Sequence, residues 1–148
     1  MRSGTRLVLG LAVLVGLGAA LPSAASASAV PTTAVSTAVA QTWGSYGSSD
    51  WKAWAWGRSS LSSSGLRVTG YLYDSPRTRA CSWVKVRSLS DRLTYRTVTF
   101  KNCSSSAPRT FRVNAGYALK SEAKLCRGTS TRITGKCSGW RLIWRQGG

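Results

Sequence analysis

The sequence predicts an all-β fold: a single antiparallel β-sandwich or jelly roll with two disulfides, with a small β-barrel as the alternative arrangement. Three observations carry this prediction. Apolar and polar residues alternate in stretch after stretch between Leu66 and Lys124, the period-two pattern of a strand with one face inward and one face wet. Turn signals rich in Ser, Gly, Asn, Asp and Pro separate these stretches into seven or eight short strands, and no convincing helical segment interrupts them. Four cysteines, an even number, follow an export-type leader, a combination that points to a disulfide framework.

In chain order, the first segment is a targeting signal. Arg2 and Arg6 begin it, an apolar run from Leu7 to Leu21 follows, and Ala27-Ser28-Ala29 offers a small-residue cleavage site. Residues 1–29 are therefore expected to be a Sec-type signal peptide cut after Ala29, or after Ala27, and the mature chain to be secreted. Any membrane contact would come only through the uncleaved peptide, whose apolar run is short for an anchor. Residues 30–42, rich in Ala, Thr, Ser and Val without charge, read as a flexible leader, and 43–148 as one basic β-domain.

The domain opens on its densest aromatic cluster: Trp43, Tyr46, Trp51, Trp54 and Trp56. On a strand, Lys52, Trp54, Trp56 and Arg58 share one face. Trp54 and Trp56 are then either core pillars or an exposed aromatic platform framed by cations, suited to stacking a sugar ring or a base. Ser59 to Gly65 reads as a loop, Leu66 to Tyr73 as a strand, and Asp74-Ser75-Pro76 as a turn. Cys81 leads into a strand over Ser82–Arg87, which returns from Leu93 to Lys101. Val98 and Phe100 fall on the inner parity of that return, and so does Arg96, an anomaly for an inward position. After the serine-rich loop Cys103 to Pro108 come a strand to Val113, a tight turn at Asn114-Ala115-Gly116 and the longest strand, Tyr117–Cys126. Tyr117, Leu119, Ala123 and Leu125 are expected on its inner side. Trp140, Leu142 and Trp144 close the domain on a last strand. Of the three possible pairings of Cys81, Cys103, Cys126 and Cys137, Cys81–Cys103 with Cys126–Cys137 is favoured, because each would staple neighbouring strand ends across a local hairpin. Loops of this length contribute roughly 3 kcal/mol each in the chain-entropy model.

Charge is the strongest compositional signal. Twenty-one Lys and Arg face four acids, for a formal net charge of +17. Such a field attracts polyanions, and arginine forks onto phosphates and carboxylates. Arg67, Lys85, Arg87, Arg112, Lys120 and Lys124 recur on the wet parity of successive strands and are the candidate polyanion-binding residues. Conventional acid–base chemistry has little to work with. The chain has no histidine, which removes Ser-His-Asp and Cys-His arrangements and most zinc sites. Asp50, Asp74, Asp91 and Glu122 sit in turn or charge-pairing contexts, without the spacing of a calcium loop. No catalytic residue, metal or cofactor is expected.

The leader, the Ala/Thr-rich start and the strand–Cys–strand layout around Gly70-Tyr71-Leu72-Tyr73-Asp74 and Cys81-Ser82-Trp83-Val84-Lys85-Val86 resemble small secreted actinobacterial (Streptomyces-like) proteins of uncharacterised function. The resemblance covers about Gly65 to Trp144 and implies a disulfide-stapled β-domain without implying an activity. Subtilisin inhibitors of the same bacteria share the size and two disulfides, but this chain lacks their proline-flanked cysteine reactive loop. The expected function is a non-catalytic module that binds an anionic or saccharide polymer of the cell envelope or its surroundings. The alternative is an inhibitor of another extracellular protein acting through a loop such as Ser104–Pro108 or Gly128–Lys136. A small hydrolase using two of the acids stands last.

Overall fold

The computed structural model describes residues 39–76 and 79–147; the expected signal peptide and the expected leader up to residue 38 lie outside them. Nine strands and no helix occur among the described residues: β1 (Val39–Gly47), β2 (Ala53–Ser62), β3 (Gly65–Asp74), β4 (Cys81–Ser90), β5 (Tyr95–Asn102), β6 (Arg109–Gly116), β7 (Ala118–Gly128), β8 (Ile133–Gly135) and β9 (Arg141–Arg145). They form two antiparallel sheets. The first has the order β1-β2-β3-β6; the second runs β5-β4-β7, with β8 and β9 both pairing along the far side of β7. The architecture is a sandwich and not a closed barrel.

Several boundaries differ from those read off the sequence; among them β4 runs on to Ser90 and β5 begins at Tyr95. β1 begins at Val39, so Val39–Thr42, assigned to the leader, pair with Arg58–Leu61 and belong to the sheet. The serines after Ser59 do not form a loop: β2 runs on to Ser62, and a two-residue turn at Ser63-Ser64 returns the chain at Gly65, whose φ of 101° suits only glycine. Asn114-Ala115-Gly116 ends β6, and the chain crosses there from the first sheet to the second, with Gly116 at a φ of 63°. Both expected disulfides are present, Cys81–Cys103 and Cys126–Cys137.

The core lies between the sheets. Leu66, Val68 and Leu72 of β3 meet Val84 and Val86 of β4, Ala123 and Leu125 of β7, and Ile143 of β9. The pattern follows the predicted alternation except where bulges reverse it. On β7 the register slips by one residue, since Lys120 faces Leu89 but Ala118 faces Ser90. Ala118 is therefore buried, while Tyr117 and Leu119, expected inside, are exposed. A second slip on β9 buries Ile143 and leaves Leu142 outside.

The central strand β2 buries only small residues, Ala53, Ala55 and Ser59, and its Gly57 lies opposite Gly70 of β3. The volume they leave is filled from the flanking strands. Trp43 and Tyr46 of β1 stack at 6.2 Å, and Phe111 of β6 lies 6.1 Å from Trp43. A Cβ on Gly57 would fall 2.1 Å from the Thr69 carbonyl oxygen and 2.7 Å from the Trp43 ring; one on Gly70 would fall 2.6 Å from Phe111. Both glycines are thus required by close approach. Gly57→Ala should destabilise the domain by about 1–3 kcal/mol, as overpacking does, read as a lowered urea midpoint with unchanged slope. A midpoint equal to the parent's would show that the neighbours yield freely.

One end of the core is ionic. Arg127 of β7 and Asp74 of β3 point inward from opposite sheets and pair there, with their side chains 4% and 2% exposed. Ser82 Oγ donates to Asp74 at 2.7 Å and accepts from Arg127 at 2.7 Å. The guanidinium also donates to the carbonyls of Lys52 and Ala80. Asp74 therefore ties the two sheets together and is not a simple turn residue.

Candidate functional site

The site begins with the parity of β2. Because Ala53, Ala55 and Gly57 turn inward, Trp54, Trp56 and Arg58 turn outward, so the two tryptophans are surface residues and not core pillars. Both stay half-buried because neighbouring rings cover their edges. Trp54 contacts Trp51 at 5.1 Å, and Trp56 stacks on Tyr71 at 5.6 Å with the ring planes 22° apart. Tyr71 remains 45% exposed.

Register then places rows across the outer face of the first sheet. Trp56, Tyr71 and Thr110 are direct partners across β2, β3 and β6; Arg58, Thr69 and Arg112 form the next row; Ser60, Arg67 and Asn114 follow. Arg58 and Arg112 are two strands apart, about 9.5 Å along the hydrogen-bonding direction. Between the aromatic and cationic rows lies a groove of about 950 Å³, lined among others by Trp56, Arg58, Tyr71, Arg109 and Arg112. Arg109 starts β6 and reaches sideways, donating to the Lys101 carbonyl at 3.0 Å. The only carboxylate on the strands of this sheet is Asp74, which faces the core, so the outer face carries cations alone.

The six predicted polyanion-binding residues do not form one surface. Arg67 and Arg112 lie on the first sheet, whereas Lys85, Arg87, Lys120 and Lys124 lie on the outer face of the second. There Arg87 is committed to local contacts. Its Nε donates to Glu122 at 2.8 Å, and its guanidinium sits between the rings of Tyr95 and Trp140, 4.7 and 4.1 Å from their centroids. Lys120 approaches the same Glu122 at 3.6 Å. Its ammonium is held above the ordinary lysine value first by the Tyr95 hydroxyl, against the opposing effect of desolvation, and then by Glu122. Lys85 and Lys124 face each other directly across β4 and β7, and neither pairs with a carboxylate among the described residues.

Sequence reading left Arg58, Tyr71 and Arg109 off the candidate list. Arg58 shares the parity of Trp54 and Trp56, and Tyr71 that of Arg67, so both were legible as neighbours once the faces were known. Arg109 carried no such signal, since it occupies an inward-parity position, opposite Leu72.

The remaining acids all have structural partners. Asp50 caps the turn after β1, where Ser48 Oγ donates to it at 2.6 Å. Burial alone would raise this carboxyl, but the Ser48 and Lys52 hydrogen bonds and the charge of Arg127 hold it below the usual range. Asp91 accepts from the backbone N–H of Arg92. No three Asp, Glu or Cys among the described residues cluster as metal ligands. The loop after β7 is fastened down, with Trp83 Nε1 donating to the Thr129 carbonyl and Lys101 to that of Ser130. Loop Ser104–Pro108 is exposed, with a Ser104–Ser106 hydroxyl contact at 2.7 Å. The disulfides belong to an oxidising environment, and no helix among the described residues is long and apolar enough to cross a membrane. No family model, curated protein or solved structure matches this chain.

Proposed function

We propose that this is a secreted, non-catalytic module that binds an anionic polysaccharide of the cell envelope or its surroundings through the outer face of its first sheet. The observation that carries the reading is the adjacency of two rows: the stacked Trp56–Tyr71 pair and, one row along, Arg58 and Arg112 on a face without acids. A ring with an apolar face can stack on the first row while a carboxylate, sulfate or phosphate on the same chain meets the second. The leader over residues 1–29 and the two disulfides support export, in keeping with the secreted actinobacterial proteins that the sequence resembles.

The test is retention of the mature protein on immobilised heparin, DNA and purified cell wall at low and high salt. Retention at low salt and release at high salt is expected, because each neutralised anion releases counterions. Trp56→Ala should weaken binding by about 1–3 kcal/mol, the usual worth of one stacked ring. Arg58→Gln with Arg112→Gln should flatten the slope of log K against log salt by about 1.4–1.8. Passage through all three columns at low salt would overturn the reading.

A further inference from the structure

The second cationic face is the strongest feature that the groove does not absorb. On the outer side of the second sheet, Lys85, Arg87, Lys101, Lys120, Lys124 and Arg145 share a face with one carboxylate, Glu122. Glu122 is spent on Arg87 and Lys120. This leaves Lys85 and Lys124 as direct cross-strand partners at the centre of the sheet, with Cα atoms about 5 Å apart. Like charges placed opposite each other destabilise a sheet, and neither lysine pairs directly with a carboxylate among the described residues. An anion seated between the two ammonium groups would. Trp140 stands beside them, with its ring 5.7 Å from the Lys124 ammonium and 4.1 Å from the Arg87 guanidinium. The combination of cations beside an indole repeats the chemistry of the groove on the opposite side of the molecule. The two outer faces of a sandwich look in opposite directions across sheets about 10 Å apart, so a straight polymer lying on one face does not reach the other.

We propose that the domain is bivalent: each outer face binds the same class of anionic polysaccharide, the second around Lys85, Lys124 and Trp140, so that one molecule bridges two polymer chains. This rests on the polyanion-binding reading above and extends it from a ligand to a cross-linker. Removing either face should leave binding to a single chain and abolish bridging, since avidity vanishes where two sites cannot be engaged together.

The experiment captures the mature protein on surface-bound heparin at low salt and then offers fluorescent heparin in solution. Wild-type protein should hold both. Lys85→Gln/Lys124→Gln and Arg58→Gln/Arg112→Gln should each still bind the surface but capture about tenfold less soluble heparin. Arg92→Gln/Arg132→Gln, which removes the same charge from connecting loops, should capture as wild type does. Thermal unfolding of each variant establishes that it is folded. Surface binding without capture by the wild type, or equal capture by all variants, would overturn bivalency alone. A capture loss in the loop variant matching that in the two face variants would also overturn it, by reducing the effect to net charge. Absence of surface binding by the wild type would overturn both bivalency and the polyanion reading.

Discussion

Asp74→Ala should cost the domain about 3–5 kcal/mol, a large share of the 5–15 kcal/mol that typically separates folded from unfolded states. The reason is what the substitution leaves behind. Arg127 is 4% exposed and reaches Asp74 across the gap between the sheets, so without the carboxylate the buried guanidinium loses its direct ion-pair partner. Ser82 loses its acceptor in the same step. The paired change Asp74→Leu/Arg127→Met should recover most of the loss, because removing both charges also removes the desolvation penalty of each. Urea denaturation of the three proteins measures this. A loss below about 1 kcal/mol for Asp74→Ala would mean that the pair behaves like a surface bridge and does not hold the sheets together.

Cys126→Ser/Cys137→Ser should cost about 3 kcal/mol, the chain-entropy value for a closed loop spanning 11 residues. Its effect should also be localised. Immediately after Cys137 the chain pairs with β7, as Ser138 N–H donates to the Leu125 carbonyl at 2.7 Å and Ser138 Oγ accepts from the Leu125 N–H at 3.0 Å. Two residues later Trp140 covers Arg87 and Lys124. Amide exchange should therefore quicken around Ser138–Trp140 before it quickens in β2 or β3. Uniform acceleration throughout the domain would show that the bridge stabilises it globally and does not anchor this segment.

The sequence discloses more about strands than about faces. Period-two alternation located β3 to within a residue at each end and the starts of β4 and β6 equally well, because each has a clean contrast between Val or Leu and Arg or Thr; the ends of β4 and β6 lie three residues further on. It could not decide β2, where one parity offers Trp54 and Trp56 and the other Ala53, Ala55 and Gly57. Hydrophobicity favours burying the tryptophans. The fold buries the small residues because Trp43, Tyr46 and Phe111 arrive from neighbouring strands to fill the space, a contact between residues distant in the chain. The slips at Leu119 and Ile143 were hidden for a related reason: a bulge is set by pairing with a partner strand and leaves no mark in local periodicity. The Asp74–Arg127 pair was obscured by the position of each member, one beside a proline turn and one at the head of a Thr/Gly/Ser segment. For the site, the wet parity of Arg67, Lys85, Arg87, Arg112, Lys120 and Lys124 was legible, but which sheet each strand joins was not, and the six divide between two outer faces.

Arg96 resolves the one anomaly of the β5 reading. It does lie opposite Ser88, on the side that faces the other sheet, yet it is solvent-exposed because β5 is the border of its sheet. A neighbour's strand laid against that border to continue the sandwich would have to enclose a guanidinium with nothing to neutralise it. The β5 border thereby discourages edge-to-edge growth of the second sheet into fibres.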